Sequence, residues 1–357
     1  MVDGTAYDVY GDKEGEAQRR LDDLKASLVR GTFTKPERRT VGRLLDEYVA
    51  DGEARGLRPK TLFFYRQARD RYISDPLKRV RLHELRPEHV RRWQADLMAR
   101  GLSATTVRNT RVLLNAALEF ARRHEWIAVN PCERVRPPRR ERPQLRPPTP
   151  AEMGRLLDAA EAAGDRLAAL WALAAYTGCR PGELLALRWE DVDLDAGSVT
   201  VRRTLTKVKG QPVRFGAPKT EGGRRGLRIA PDAVAALRRH RAGQGTERDH
   251  LGPDYEDLGL VFCLETGDPL LPRHAARRFK QALERADLPA AIRFYDLRHG
   301  NATAMLLSGV APKAAAERLG HSSTQLFHET YAHMLQELDA DAAAKLQGVI
   351  RRSPKAG

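Results

Sequence analysis

Tyr295-Asp296-Leu297-Arg298-His299, Leu319-Gly320-His321-Ser322-Ser323 and Thr330-Tyr331-Ala332-His333 are three short polar blocks near the end of the chain. The apolar residues between them repeat at helical spacing, which puts an arginine, a histidine and a tyrosine at helix starts and turns. A fourth block, Tyr176-Thr177-Gly178-Cys179-Arg180-Pro181-Gly182-Glu183-Leu184, lies far upstream. The fold is mainly α if these blocks are the turns of a helical domain.

Each block suggests a chemistry. Arg180 follows a glycine turn and precedes Pro181, a helix-starting residue, so its guanidinium projects near a helix N-terminus that already favours anions. Glu183, three residues on, is close enough to fix its orientation. Arg298 follows Tyr295 and Asp296 at another helix start, with Asp296 expected as N-cap. Lys219 stands in Pro218-Lys219-Thr220, a turn between two expected strands. A loop lysine there can reach into a cleft and donate a proton; Lys207 and Lys209 compete for the role. His321 follows Gly320, the expected end of a helix, and Tyr331 comes ten residues later. A free phenol has a pKa of about 10 and is a poor nucleophile. Two arginines beside a bound phosphodiester change that, because they stabilise both the phenolate and the transition-state oxygens. No aspartate cluster suggests a metal.

The bulk composition agrees with a polyanionic partner. There are 62 Lys and Arg against 47 Asp and Glu, a net charge of +15. Such a balance implies nucleic acid, with binding that weakens as salt rises. The chain of 357 residues is long for one domain and comfortable for two. It has no apolar run long enough to span a membrane. Its first residues lack the basic start and apolar run of a signal peptide. Three cysteines without metal-like spacing suit a reducing cytoplasm. A cytoplasmic, nucleoid-associated protein is the expectation.

Taken in order, residues 1–38 are polar, with one helical pattern through Leu21, Leu24 and Leu28. Helices are then expected from Thr40 to Gly52, Pro59 to Ile73, Glu88 to Ala99 and Ala104 to His124. Together they make a small bundle. Its polar faces carry Thr105, Thr106, Arg108 and Arg111, candidates for contact with a DNA backbone. Residues 133–148, with Arg139 and Arg140 among many prolines, read as an extended linker suited to crossing a backbone. Thr149-Pro150-Ala151-Glu152 is a capping box that opens a second domain. Two helices are expected there, followed by a small antiparallel sheet from Ser198-Val199-Thr200-Val201, Val213-Arg214-Phe215 and Gly226-Leu227-Arg228-Ile229. Further helices span Asp232 to Arg241 and Pro272 to Ala286, with Val261-Phe262-Cys263 as a short strand between them.

Arg180, Lys219, Arg298, His321 and Tyr331 occur in the order, and at spacings similar to those, of the active-site boxes of the tyrosine recombinase (phage integrase) family. The chain resembles that family from about residue 40 to 340. The resemblance implies a truncated arm-binding-like segment at 1–38 and a helical, SAM-like core-binding domain at 39–132. It implies an α+β catalytic domain at 149–335 and a C-terminal helix and tail at 336–357 that docks on a neighbour, unless it packs on its own fold. The two domains of the family close on DNA as a C-shaped clamp. The resemblance further implies a site-specific recombinase that breaks and rejoins duplex DNA through a 3′-phosphotyrosyl intermediate, without any cofactor. Arg180 and Arg298 would clamp the phosphate, Lys219 protonate the leaving oxygen, His321 assist and Glu183 position the site. The partners implied are attachment-site DNA, a homotetramer and accessory directionality or DNA-bending factors. The family usually has histidine or lysine where Tyr295 stands, and a small hydroxyl residue where Gly300 stands. A type IB topoisomerase-like enzyme and a catalytically weakened DNA-binding protein are the alternative readings.

Overall fold

The computed structural model describes residues 15–29, 39–140, 146–218 and 223–320. It forms two compact units, divided between Pro143 and Gln144.

The first unit is helical among its described residues. Helix α1 spans Glu16–Val29, α2 Val41–Ala54, α3 Pro59–Arg71, α4 Asp75–Arg79, α5 Pro87–Ala99 and α6 Ala104–Arg123. The sequence marks the starts clearly. Thr40 and Ser103 accept the backbone N–H of the third residue of α2 and α6, while Pro59 and Pro87 open α3 and α5. Leu44 and Leu45 of α2, Trp93 and Leu97 of α5, and Leu113, Leu114 and Leu118 of α6 make the core. The Trp93 indole is buried without penalty because its N–H donates to the Tyr72 carbonyl at 2.7 Å.

The segment expected to begin a free linker starts inside this core instead. Val135, within the expected 133–148 linker, is buried with the bundle, as is Cys132 at the expected end of the helical domain. Asn130 turns the chain, accepting from Cys132 N at 3.0 Å and donating to Asn115 Oδ1 at 3.1 Å. The reason lies in apolar content: Pro131, Cys132 and Val135 gain more by burial than extended proline geometry gains in solvent. Residues 136–140 have no regular structure.

The second unit is built around α8 (Ala168–Thr177), which is buried almost along its whole length. Its only aromatic core residue, Trp171, meets Phe279 and Phe294 with ring centroids 5.1 and 5.0 Å apart. Before it, α7 (Pro150–Ala162) opens on the expected capping box: Glu152 N donates to Thr149 Oγ1 at 3.2 Å and Thr149 N to the Glu152 carboxylate at 2.9 Å. The one-turn helix α9 (Pro181–Leu184) follows α8. Two small sheets come next, where the sequence suggested one. Strands β1 (Val192–Asp193), β2 (Ser198–Val201) and β5 (Arg225–Arg228) form an antiparallel sheet in the order β1-β2-β5. The other is a hairpin of β3 (Thr204–Thr206) and β4 (Arg214–Gly216), with Leu205 opposite Phe215. Strand β3 is only three residues long, too short to leave a period in the sequence.

Helix α10 runs Pro231–Leu251, ten residues beyond the expected end, straight through Gly243 and Gly245. Tertiary bonds outweigh the weak propensity of those glycines. Gln244 accepts from Trp189 Nε1 at 2.6 Å and donates to Leu260 O at 3.0 Å. Glu247 pairs with Arg166 at 2.7 Å. Val261-Phe262-Cys263 is not a strand; only isolated bridges, Arg188 to Leu260 and Cys263 to Pro269, flank it. Its apolar run is buried because it is core, a case that period alone does not separate from a strand. Helices α11 (Pro272–Arg285), α12 (Asp296–Leu307) and α13 (Pro312–Leu319) complete the described fold.

Gly300 has a positive role in this packing. A Cβ there would lie 2.8 Å from Pro148 O and 2.8 Å from Met153 Sδ. Its bare Cα lets α12 close on the start of α7. Alanine gains up to ~1 kcal/mol of helix propensity, but pushing against a main-chain carbonyl costs about 1–3 kcal/mol. Gly300→Ala therefore lowers the melting temperature. A higher one would show that α7 yields freely.

Candidate active site

Helix α8 ends at Gly178, whose φ of +61° is left-handed. A Cβ at Gly178 would stand 2.4 Å from Leu319 Cδ2 and 2.7 Å from Asn301 Oδ1. Glycine is required twice over, by conformation and by space. The ends of α8 and α13 and the middle of α12 thus meet at one point. Asn301 ties them, donating to Ala175 O at 2.7 Å.

Arg180 is the N-cap of α9. Its backbone N–H donates to Glu183 Oε2 at 3.0 Å and its Nη1 to Oε1 at 2.8 Å. Its Nη2 donates to Gly320 O at 3.2 Å, and about a third of the side chain remains exposed. Glu183 is buried. Burial alone would push its carboxyl up, but the Arg225 charge and the bonds from Arg180 outweigh this and hold it below the usual range.

Arg298 is 2 % exposed. Its Nη1 donates to Gly178 O at 2.9 Å, while its buried Nη2 has no hydrogen-bond partner among the described residues. Burial, and then the charge of Arg180, bring its pKa down to about 10. It remains a cation at neutral pH, held close to a second cation, with one donor unanswered among the described residues. An orphaned buried donor of this kind is costly, and an anion is what relieves it.

Tyr295 is 41 % exposed, with its ring edge-on to His299 at 5.5 Å. Burial, with the neighbouring Arg298 and Arg293 charges against Asp296, holds His299 below the usual histidine range. Asp296 does not cap α12. Tyr295 occupies the cap position, and the Asp296 carboxylate turns back to accept from Arg293 N at 2.8 Å and Arg293 Nη2 at 2.7 Å. The preceding turn offered it a charged partner that its own helix did not.

The phage integrase family profile matches residues 148–337, more than half of the chain. The chain belongs to the phage integrase family. It is a tyrosine-type site-specific recombinase. A tyrosine recombinase XerC-like protein of Caldanaerobacter subterraneus subsp. tengcongensis is 25% identical over 359 residues, covering 96% of this chain and 91% of the relative. An integrase of Streptomyces ambofaciens is 29% identical, covering 96% and 89%. Among solved structures, the Tn1549 transposon integrase in complex with transposon right end DNA superposes with a TM-score of 0.71 at 20% identity, covering 82% of this chain and 94% of that one. A lambda integrase dimer bound to a core site gives 0.57 at 20% identity, covering 90% and 87%. The mainly helical reading with small antiparallel sheets is thus the fold observed. No helix among the described residues is long and apolar enough to cross a membrane.

Of the residues expected at the recombinase site, the structure brings together Arg180, Glu183, Arg298 and Tyr295. Lys219, His321, Tyr331 and the 336–349 helix lie outside the described residues. Lys207, a competitor for the lysine role, donates to Gln211 O at 2.6 Å within its own turn. In the bundle, Arg111 donates to the carbonyls of Cys132 and of Val135 (the latter at 2.9 Å), so its guanidinium fastens the end of the bundle rather than facing outward as expected. Arg108 donates to Pro138 O at 3.0 Å. Thr106 Oγ1 lies 3.0 Å from Ser103 Oγ, and Thr105 beside it is half-buried. Arg139 and Arg140 are exposed. Sequence reasoning missed Arg225 and Asn301. No local pattern marks either, since their partners lie 42, 93 and 126 residues away in the chain.

Proposed function

We propose that this recombinase cuts duplex DNA with Tyr331 as nucleophile. The Tyr331 phenolic oxygen forms a bond to phosphorus as the bond to the 5′-oxygen breaks, leaving a 3′-phosphotyrosyl link. The phenolic proton passes to a base at the site, and Lys219 delivers a proton to the departing 5′-oxygen. Arg180 and Arg298 receive the charge that builds on the non-bridging oxygens. His321 assists by hydrogen bond, Tyr295 offers its hydroxyl to the phosphate, and Glu183 holds Arg180. A 5′-hydroxyl from a second duplex then reverses the reaction. The phosphotyrosyl bond conserves the bond energy, so no cofactor enters.

The observation that carries this reading is Arg298, buried as a cation beside Arg180 with Nη2 unpartnered among the described residues. The partner proposed is attachment-site DNA, held by four copies of the chain; a lambda integrase tetramer has been solved on a Holliday junction. Accessory directionality or DNA-bending proteins are the further partners of this reading. Thr105, Thr106, Arg108, Arg139 and Arg140 are the proposed backbone contacts of the bundle and linker.

The test is strand exchange between two labelled duplexes taken from the DNA that flanks the gene. Holliday junctions that resolve to recombinants are expected. Relaxation of supercoils without exchange would point to a topoisomerase-like activity instead.

A further inference from the structure

Arg225 opens β5 and, among the described residues, its side chain makes four hydrogen bonds near Arg180. Its Nη2 donates to Glu183 Oε2 at 3.1 Å and to Cys179 Sγ at 3.4 Å. Its Nε donates to Arg318 O at 2.8 Å and its Nη1 to Gly223 O at 3.2 Å. The side chain is only 9 % exposed, so it does not face a substrate. Its partners are the elements that hold Arg180. Glu183 takes the Arg180 guanidinium on one oxygen and the Arg225 guanidinium on the other, beside the Arg180 backbone N–H. Arg318 and Gly320, at the end of α13, give one carbonyl to Arg225 and one to Arg180. These carbonyls carry the partial negative charge of a helix C-terminus, which suits cations.

We infer that Arg225 is a positioning residue for the recombination reaction, fixing the Arg180 guanidinium through their shared carboxylate and the shared end of α13. Without Arg225, Glu183 Oε2 keeps only the Arg180 backbone N–H, so the carboxylate loses its second guanidinium and swings toward the remaining one, drawing Arg180 away from the phosphate. The planar fork matters as well as the charge, because lysine reaches Glu183 but not the carbonyls at the same time.

This inference rests on Arg180 being a phosphate contact, and the experiment separates the two. Single-turnover cleavage is measured on a suicide duplex from the gene-flanking DNA, with an ordinary scissile phosphate and with a methylphosphonate. The methyl group removes the charge of one non-bridging oxygen, and with it the need for a counter-cation. Full-length wild type, Arg180→Ala, Arg225→Gln and Arg225→Lys are compared, with affinity for uncut DNA as the control for folding.

On phosphate, Arg225→Gln is expected to cut about 10²-fold more slowly than wild type, the scale of a small misplacement at a reacting centre. On methylphosphonate its deficit shrinks, as does that of Arg180→Ala. Arg225→Lys shows a smaller deficit with the same substrate dependence, and serves if the glutamine variant fails to fold. If Arg180→Ala recovers but neither Arg225 variant does, Arg225 is merely structural and the inference is overturned. If Arg180→Ala itself does not recover, the assignment of Arg180 falls, and the inference with it.

Discussion

Arg298→Met cleaves its DNA about 10³–10⁵-fold more slowly than wild type, the range seen when an arginine is removed from a phosphoryl-transfer site, and it does not melt earlier. The two halves of this result have one cause. In the folded protein the Arg298 pKa is down to about 10 because burial and the Arg180 charge oppose its cation. The unfolded chain binds that proton more tightly than the native one. The native state is therefore penalised at every pH below about 10, and the penalty fades only as pH rises from there through the ordinary arginine value. A shift of this size is worth about 3 kcal/mol. Methionine fills similar space without the charge. It forfeits the bond to Gly178 O, an unpaired acceptor that costs about 1–3 kcal/mol. The terms oppose each other, so the melting temperature stays level or rises while catalysis collapses. Thermal melting beside single-turnover cleavage reads both. A variant that melts well below wild type and still cuts would assign Arg298 to the scaffold.

Tyr331→Phe forms no covalent adduct with a suicide duplex, while its affinity for uncut DNA stays near that of wild type. Loss of the phenolic oxygen removes the only atom that links protein to phosphorus in the proposed step, so the effect is total. The informative rival is Tyr295. It is an exposed phenol at the start of the helix that carries Arg298. Tyr295→Phe is therefore run in parallel, and its adduct should persist. An adduct that survives Tyr331→Phe and disappears in Tyr295→Phe would transfer the nucleophile's role to residue 295.

What could be read before the structure was local. The Thr149–Glu152 cap, the prolines that open helices and the glycine before Arg180 each announce a shape within four residues, and those shapes are present. Arg180 and Glu183 were legible as a pair because they sit one helical turn apart. Arg225 was not, because its partners are 42 and 93 residues away and no spacing rule connects them. The same holds for Asn301, bonded across 126 residues. Val261-Phe262-Cys263 misled because a buried core segment and a buried strand have one and the same apolar signature. Gly300 shows the same limit: helix propensity alone counts it a defect, while its contact with Pro148 makes it a fit.

Two bare Cα atoms, at Gly178 and Gly300, have a practical meaning for anyone reshaping this enzyme toward new target sequences. Both are places where helices rest on naked backbone at distances no side chain tolerates. Libraries that randomise them will mostly sample broken proteins. Diversity belongs on surfaces such as Arg139 and Arg140, where a new residue has room to stand.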